Sequence, residues 1–229
     1  MQRILLTILV ALAGVDARAN LITNPSFETT SPVVAPGTFG IFTPGSTGVT
    51  GWTVVGNAGT DIGITSTTFA QSGISFVAED GSNWVDLTGL NTNNDTEGLQ
   101  QTIATNIGDS YTLTFWVGNV DSPGTGFGVT STVNVLVNGA SLGAATNNCT
   151  ACTTTLIWMQ FSRTFTASST STTLTFLNGD PSNDNSNGLD NVSLLDNGPV
   201  TTATPEPSSI ALLGMPLLGL AGWRRYSRA

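Results

Sequence analysis

Between Asn20 and Val200 the groups that could do acid, base or metal chemistry are almost all carboxylates. Thirteen Asp and Glu side chains stand there against one cation, Arg163, for a net charge of −12, and the whole chain has no Lys and no His. Without His there is no imidazole base, no His-activated nucleophile and no His-ligated metal. No Ser lies in a G-x-S-x-G elbow. A pair of carboxylates about 5 to 10 Å apart would suit glycoside hydrolysis. Thirteen carboxylates make chance pairs unavoidable, however, and the Glu79-Asp80 doublet before Gly81-Ser82-Asn83 has the composition of a turn. A non-enzymatic chain is therefore the expectation. Nucleic acid and anionic lipid surfaces are bound through many Lys and Arg, so this surface would repel both.

Aromatic rings beside amide and carboxylate groups suit a sugar, whose apolar face stacks while its hydroxyls hydrogen-bond. Strand parity supplies candidates. Val85 and Leu87 have the inward parity of their segment, which leaves Trp84 and Asp86 outward; Trp116 falls on the outward side with Thr112 and Thr114, and Asn119 and Asp121 follow in the adjacent loop. These five are the expected ligand-binding residues, with burial of the tryptophans under loops as the competing reading. Arg163 shares the Met159, Phe161 and Phe165 side of its segment, and a carboxylate partner is expected for it. Cys149 and Cys152 are the chain's two cysteines. They lack further Cys or His to complete a zinc site and sit in an Asn/Thr-rich loop, so a short-range disulfide is expected in an exported protein.

The elements that must carry these residues are strands. Tyr111, Leu113, Phe115 and Val117 alternate with Thr112, Thr114 and Trp116, and Leu99, Gln101 and Ile103 alternate more weakly with their neighbours; the two runs are joined by a turn at Asn106–Ser110. Further strands are expected at 51–55, 61–65, 83–87, 131–138, 157–167, 171–177 and 189–195, with turns at Asn138-Gly139 and Asn178-Gly179-Asp180. Few charges, abundant Thr, Asn and Gly, and no amphipathic helical segment give an all-β fold of two packed sheets.

The ends differ in composition. Residues 1–19 hold Arg3, an apolar run and Ala17-Arg18-Ala19, the pattern of a secretory signal peptide. The sandwich is expected at 20–198, a linker with Pro205-Glu206-Pro207 at 199–209, and a short apolar helix with a basic end, including Arg224 and Arg225, at 210–229. The apolar run is marginal for a bilayer of about 30 Å. The order Pro-Glu-Pro, apolar segment and Arg cluster resembles the PEP-CTERM sorting signal of Gram-negative bacteria. That resemblance implies transient tail insertion in the inner membrane, processing by an exosortase, and delivery to the outer surface or extracellular matrix.

NLITNPSFE, GWTVV, WVDLTG, GLQQTIATNIGDSYTLTFWVGN, FSRTFTA, TTLTFLN and GLDNVSL are similar in order and type to the galactose-binding-like jelly rolls of carbohydrate-binding modules. They come nearest to a plant cell-wall family of unknown function that is also found in bacteria. The resemblance implies a two-sheet jelly roll and a structural calcium shared by the first and last strands, with Glu28 and Asp190 at the matching positions. Together these readings give an exported, envelope-sorted, non-catalytic module that binds extracellular polysaccharide. A structural matrix protein without a specific ligand is the first alternative and a glycoside hydrolase the second.

The tail motif generates a prediction. Mass spectrometry of envelope protein should find a mature form lacking the segment from about Ile210 onward, and an intact Arg224-Arg225 terminus as the dominant species would contradict it.

Overall fold

The computed structural model describes residues 18–90, 97–122, 124–181 and 186–200. Most of the leader, the Pro205-Glu206-Pro207 motif, the apolar tail helix and Arg224-Arg225 lie outside those residues. Among the described residues the strands are, in chain order, Phe39–Phe42 (β1), Thr53–Val55 (β2), Ile62–Ser66 (β3), Ala70–Gln71 (β4), Ile74–Ser75 (β5), Asn83–Asp86 (β6) and Gly98–Ala104 (β7). They continue with Asp109–Asn119 (β8), Ser131–Val137 (β9), Ala140–Asn147 (β10), Ile157–Thr166 (β11), Ser171–Asn178 (β12) and Gly188–Pro199 (β13).

Alternation along β8 decides which side chains meet. Tyr111, Leu113, Phe115 and Val117 are buried, while Thr112, Thr114 and Trp116 between them are half-buried on the opposite face. A period of two side chains per pleat leaves one apolar face that only a second sheet can cover. A six-stranded sheet in the order β1-β3-β6-β13-β8-β11 accordingly packs on a five-stranded sheet in the order β10-β9-β12-β7-β2. The core between them is built from Ile62, Ile64, Val85, Leu113, Phe115 and Leu189 on one side and from Val54, Leu99, Val133, Val135, Leu174 and Phe176 on the other. The fold is an all-β, two-sheet jelly roll, as the sequence implied.

Three features differ from the sequence-based expectation. First, β7 and β8 do not pair with each other; the turn between them crosses from the five-stranded to the six-stranded sheet. The β11–β12 connection makes the same crossing in reverse, and the two corners satisfy one another: Thr105 N donates to Thr170 O, Gly108 N to Ala167 O and Ala167 N to Asp109 O, each at 2.9 to 3.0 Å. Second, β1 lies inside the Pro- and Gly-rich passage, and β10 is made of small and polar residues with an irregularity between Ser141 and Gly143. Neither carries an apolar alternation to be read. Third, the β4–β5 hairpin turns at Ser72 and Gly73, with φ of 53° and 81°. This mirror-image geometry suits two-residue hairpins.

Among the described residues Arg163 has no carboxylate partner. Its guanidinium donates to Ala144 O at 2.6 Å and Ser162 O at 2.9 Å, and it lies 5.9 Å from the centre of the Phe161 ring. Carbonyl acceptors and a ring face satisfy the charge at the edge strand, where solvent is near.

Candidate active site

The outer face of the six-stranded sheet carries the site. Side chains on one face of a sheet form rungs across it, and two rungs meet here: Phe39, Thr65 and Trp84 are in register across β1, β3 and β6, as are Ile41, Gly63 and Asp86. These six line a cavity of about 340 Å³, together with Phe69 and Gln71 around β4, Phe76 after β5, and Phe127 in the loop after β8. That volume lies within the range of about 300 to 1,000 Å³ usual for small-molecule sites. Gly63 is the floor. A Cβ there would meet only Asp86 Cβ at 3.5 Å and two atoms farther off, so the glycine leaves open space rather than avoiding a clash.

The rings brace one another. Phe76 stacks on Trp84 at 6.1 Å and meets Phe127 edge-on at 5.1 Å, while Phe69 contacts Phe39 at 5.4 Å and Phe76 at 5.7 Å. Asp86 Oδ1 accepts from Thr88 N at 3.1 Å, Thr88 Oγ1 at 2.8 Å and Asn187 N at 3.2 Å, which fixes the carboxylate against the sheet.

Of the five sequence-predicted ligand residues, the structure brings Trp84 and Asp86 together in this cavity and leaves the others elsewhere. Parity placed Trp84 on the outer face correctly, but it is 1% exposed, because Ile74, Phe76, Val120 and Leu156 cover that face in a second apolar cluster. Its ring forms part of the wall instead of a free stacking platform. Trp116 is half-buried farther along β8, opposite Gln160. Asn119 is fully buried; its amide donates to Val129 O and Cys149 O, and its carbonyl accepts from Ser131 Oγ at 3.0 Å. It is a staple between loops. Asp121 is half-buried, and its N–H donates to Cys152 O at 3.1 Å.

The expected disulfide is absent: Cys149 and Cys152 are free thiols. Cys152 Sγ instead donates to Cys149 O at 2.9 Å, and burial pushes its thiol up to about 11, which keeps it protonated and a poor nucleophile. Sequence reasoning missed Phe39, Phe69, Phe76 and Phe127, which lie in stretches that read as loops. The Ser72-Gly73 turn between apolar residues was the one available sign of the β4–β5 wall.

A strap of irregular chain from Phe76 to Asn83 closes the far side of the cavity. It accepts two indole N–H bonds, from Trp84 to Phe76 O at 3.1 Å and from Trp158 to Val77 O at 2.8 Å. Two carboxylates grip its backbone. Asp190 Oδ2 accepts from Glu79 N at 2.9 Å and Asp80 N at 3.0 Å, and Glu28 Oε1 accepts from Ser82 N at 2.7 Å and Asn83 N at 2.9 Å. Gly81, at a φ of +72°, passes so close that a Cβ would sit 2.4 Å from Glu28 Oε1. Glu28 and Asp190 are thus neighbours of one strap, as a shared role for the chain's two ends requires. N–H donors point at both carboxylates, though, and among the described residues no three of His, Cys, Asp or Glu are grouped to hold a metal.

A family model described as HpiC1-like, HpiC1 cyclase, matches residues 18–195. Among solved structures, the Stig cyclase Fisc from Fischerella sp. TAU, in complex with (3Z)-3-(1-methyl-2-pyrrolidinylidene)-3H-indole, is 20% identical with a TM-score of 0.54, covering 79% of this chain and 98% of its own. A cyclase from the same organism in complex with 4-(1H-indol-3-yl)butan-2-one is 22% identical with the same TM-score and coverage. A structure titled for CBM4 structure and function is 19% identical, with a TM-score of 0.41, covering 76% and 99%. At these identities the likeness is one of fold. No curated protein matches the chain. The family match overturns the expectation of a non-enzymatic chain, which rested on missing His and Ser motifs that cyclisation does not require.

The strap generates a prediction. Burial pushes the Asp190 carboxyl up to about 8, against the pull of the Asp80, Asn191 and Glu79 N–H donors. A folded-state value above the ordinary 3.8 means the folded state binds the extra proton. The Asp190 contribution to stability is therefore full below about pH 4 and is lost as pH rises through 8. Urea unfolding should show stability falling by up to about 1.4 kcal/mol per pH unit between pH 5 and 8. Asp190→Asn, which cannot titrate, should flatten that slope. An unchanged slope in the variant would contradict the assignment.

Proposed function

The chain belongs to the HpiC1-like family, and on that premise we propose that it is a cyclase-type enzyme acting on a flat, largely apolar aromatic compound held in the cavity on the outer face of the six-stranded sheet. The observation that carries this reading is the pairing of an aromatic wall with a fixed carboxylate, Asp86, across an open glycine floor. Indole compounds occupy two of the structurally similar cyclases, which supports an aromatic substrate of that size.

Ring closure onto an aromatic system develops positive charge and then releases a proton as aromaticity returns. Ring faces stabilise the charge, and a carboxylate held by Thr88 and Asn187 is placed to accept the proton, as general-base catalysis requires. The strap and the Phe127 loop restrict water over the reacting atoms, which strengthens every electrostatic contact inside. The leader and the Pro-Glu-Pro tail support an exported enzyme that is sorted to the cell envelope.

The test is calorimetric binding of 4-(1H-indol-3-yl)butan-2-one to the wild-type protein and to Gly63→Leu. The added side chain projects into the cavity without striking the sheet, so the variant should keep its melting temperature and lose at least about tenfold in affinity, near 1.4 kcal/mol. Equal affinity in the two proteins would place the ligand elsewhere. A panel of soluble polysaccharides run alongside examines the glycan partner expected from the sequence; binding there with none to the indole ketone would overturn the cyclase reading.

A further inference from the structure

We propose that Thr65 is a specificity-determining residue of this cavity: its hydroxyl accepts a hydrogen bond from a ring N–H, so the site prefers a flat heteroaromatic substrate with that donor at its edge over one of the same shape without it. The inference rests on the reading of the cavity as the substrate site and adds which atom of the substrate ring is recognised.

Thr65 differs from the other hydroxyl of the cavity because it is nearly enclosed and still unsatisfied. It lines the cavity while only 4% exposed. Among the described residues no hydrogen bond reaches its Oγ1, whereas the Thr125 hydroxyl donates to Ser122 O at 2.8 Å. A polar group that is buried without a partner costs free energy, and a ligand that supplies the partner recovers it.

The surroundings decide what part of a ligand arrives there. Phe39 and Trp84 flank Thr65 in register, on β1 and β6. The ring series Phe39, Phe69, Phe76 and Trp84, with successive centres 5.4, 5.7 and 6.1 Å apart, links one flank to the other. Rings on each side suit the flat part of a substrate rather than a branched or charged tail. The Gly63 floor lies one rung away on the same strand, and a Cβ built there would stand 3.8 Å from Thr65 Oγ1. The edge of a ring resting on that floor therefore comes within reach of a hydrogen bond, about 2.7 to 3.2 Å.

A hydroxyl can accept or donate, and the chemistry of ring closure favours acceptance. As positive charge develops on the aromatic system, a ring N–H becomes a stronger donor, and its bond to Thr65 tightens towards the transition state. An acceptor atom at the same edge would lose electron density and bind less well. A ring with no polar edge fits the walls but displaces water from Oγ1 and leaves the hydroxyl unpaired, which is how a hydrogen-bonding site rejects an analogue of the same shape.

The experiment compares 4-(1H-indol-3-yl)butan-2-one with 4-(1-benzothiophen-3-yl)butan-2-one, in which sulfur replaces the ring N–H, by calorimetry on the wild-type protein, Thr65→Val and Thr65→Ser. Valine keeps the branched outline and removes the hydroxyl; serine keeps the hydroxyl. The indole-to-benzothiophene affinity ratio should fall about tenfold from wild type to Thr65→Val and be retained in Thr65→Ser. An equal ratio in wild type and Thr65→Val, with Gly63→Leu still weakening the indole ketone, overturns the role of Thr65 while the cavity stands as the substrate site. If the indole ketone does not bind the wild-type protein, both readings fail. Should Thr65→Val not fold, NMR of the wild-type complex decides: the bound ring N–H should exchange slowly with water and show a nuclear Overhauser contact to the Thr65 methyl group. A freely exchanging N–H without that contact overturns the proposal.

Discussion

The outer face of the six-stranded sheet has to be covered, and its cover is irregular chain. Trp84 projects from β6 on that face and is too large an apolar surface to leave in water. The segment that buries it, Phe76 to Asn83, is not a ladder strand over most of its length, so its N–H groups need partners from outside regular pairing. Asp190 and Glu28 supply them for Glu79, Asp80, Ser82 and Asn83, and the two tryptophan N–H groups bond to the carbonyls of Phe76 and Val77. The arrangement ties the last strand and the N-terminal segment to a loop midway along the chain. Burying the Asp190 carboxyl is the cost of that tie.

The cavity follows from the same cover. Trp158 lies across Gly118 and Gly188, where a Cβ on either glycine would come within 3 Å of its ring, and so fills the middle of the face. The β4–β5 hairpin and the Phe127 loop stand over the β1, β3 and β6 end. Between them the two rungs remain open, because Gly63 contributes no side chain where Ile41 and Asp86 flank it. One missing Cβ in a rung thus separates a packed outer face from an open cavity. The aromatic residues around it support each other edge to face, so the wall is set by packing before any ligand arrives.

Carboxylate-rich composition admits two different uses, and the structure distributes them. Glu28 and Asp190 hold backbone, as hydrogen-bond acceptors for a strap; Asp86 faces the cavity. Asn119, itself an expected ligand contact, instead directs its side-chain hydrogen bonds to Val129, Ser131, Cys149 and Cys152. The family match, over residues 18–195, is to a cyclase family, and ring closure as a reaction class needs neither an imidazole nor a G-x-S-x-G serine.

Alternation along β8 and β6 was legible in the sequence because it is a local property with a period of two residues. It gave the inward set Tyr111, Leu113, Phe115 and Val117, the outward parity of Trp84 and Asp86 and the all-β class, while composition alone excluded His and Lys chemistry. What covers an outward residue was not legible, since parity says which face a side chain leaves from and nothing about what packs there. The crossing of β7 to β8 between sheets depends on hydrogen bonds to Ala167 and Thr170, some sixty residues away in sequence. The strap depends on Asp190, 111 residues from Glu79. Phe39, Phe69, Phe76 and Phe127 come from four separate segments without periodicity, and only the close approach of those segments in three dimensions turns them into one wall.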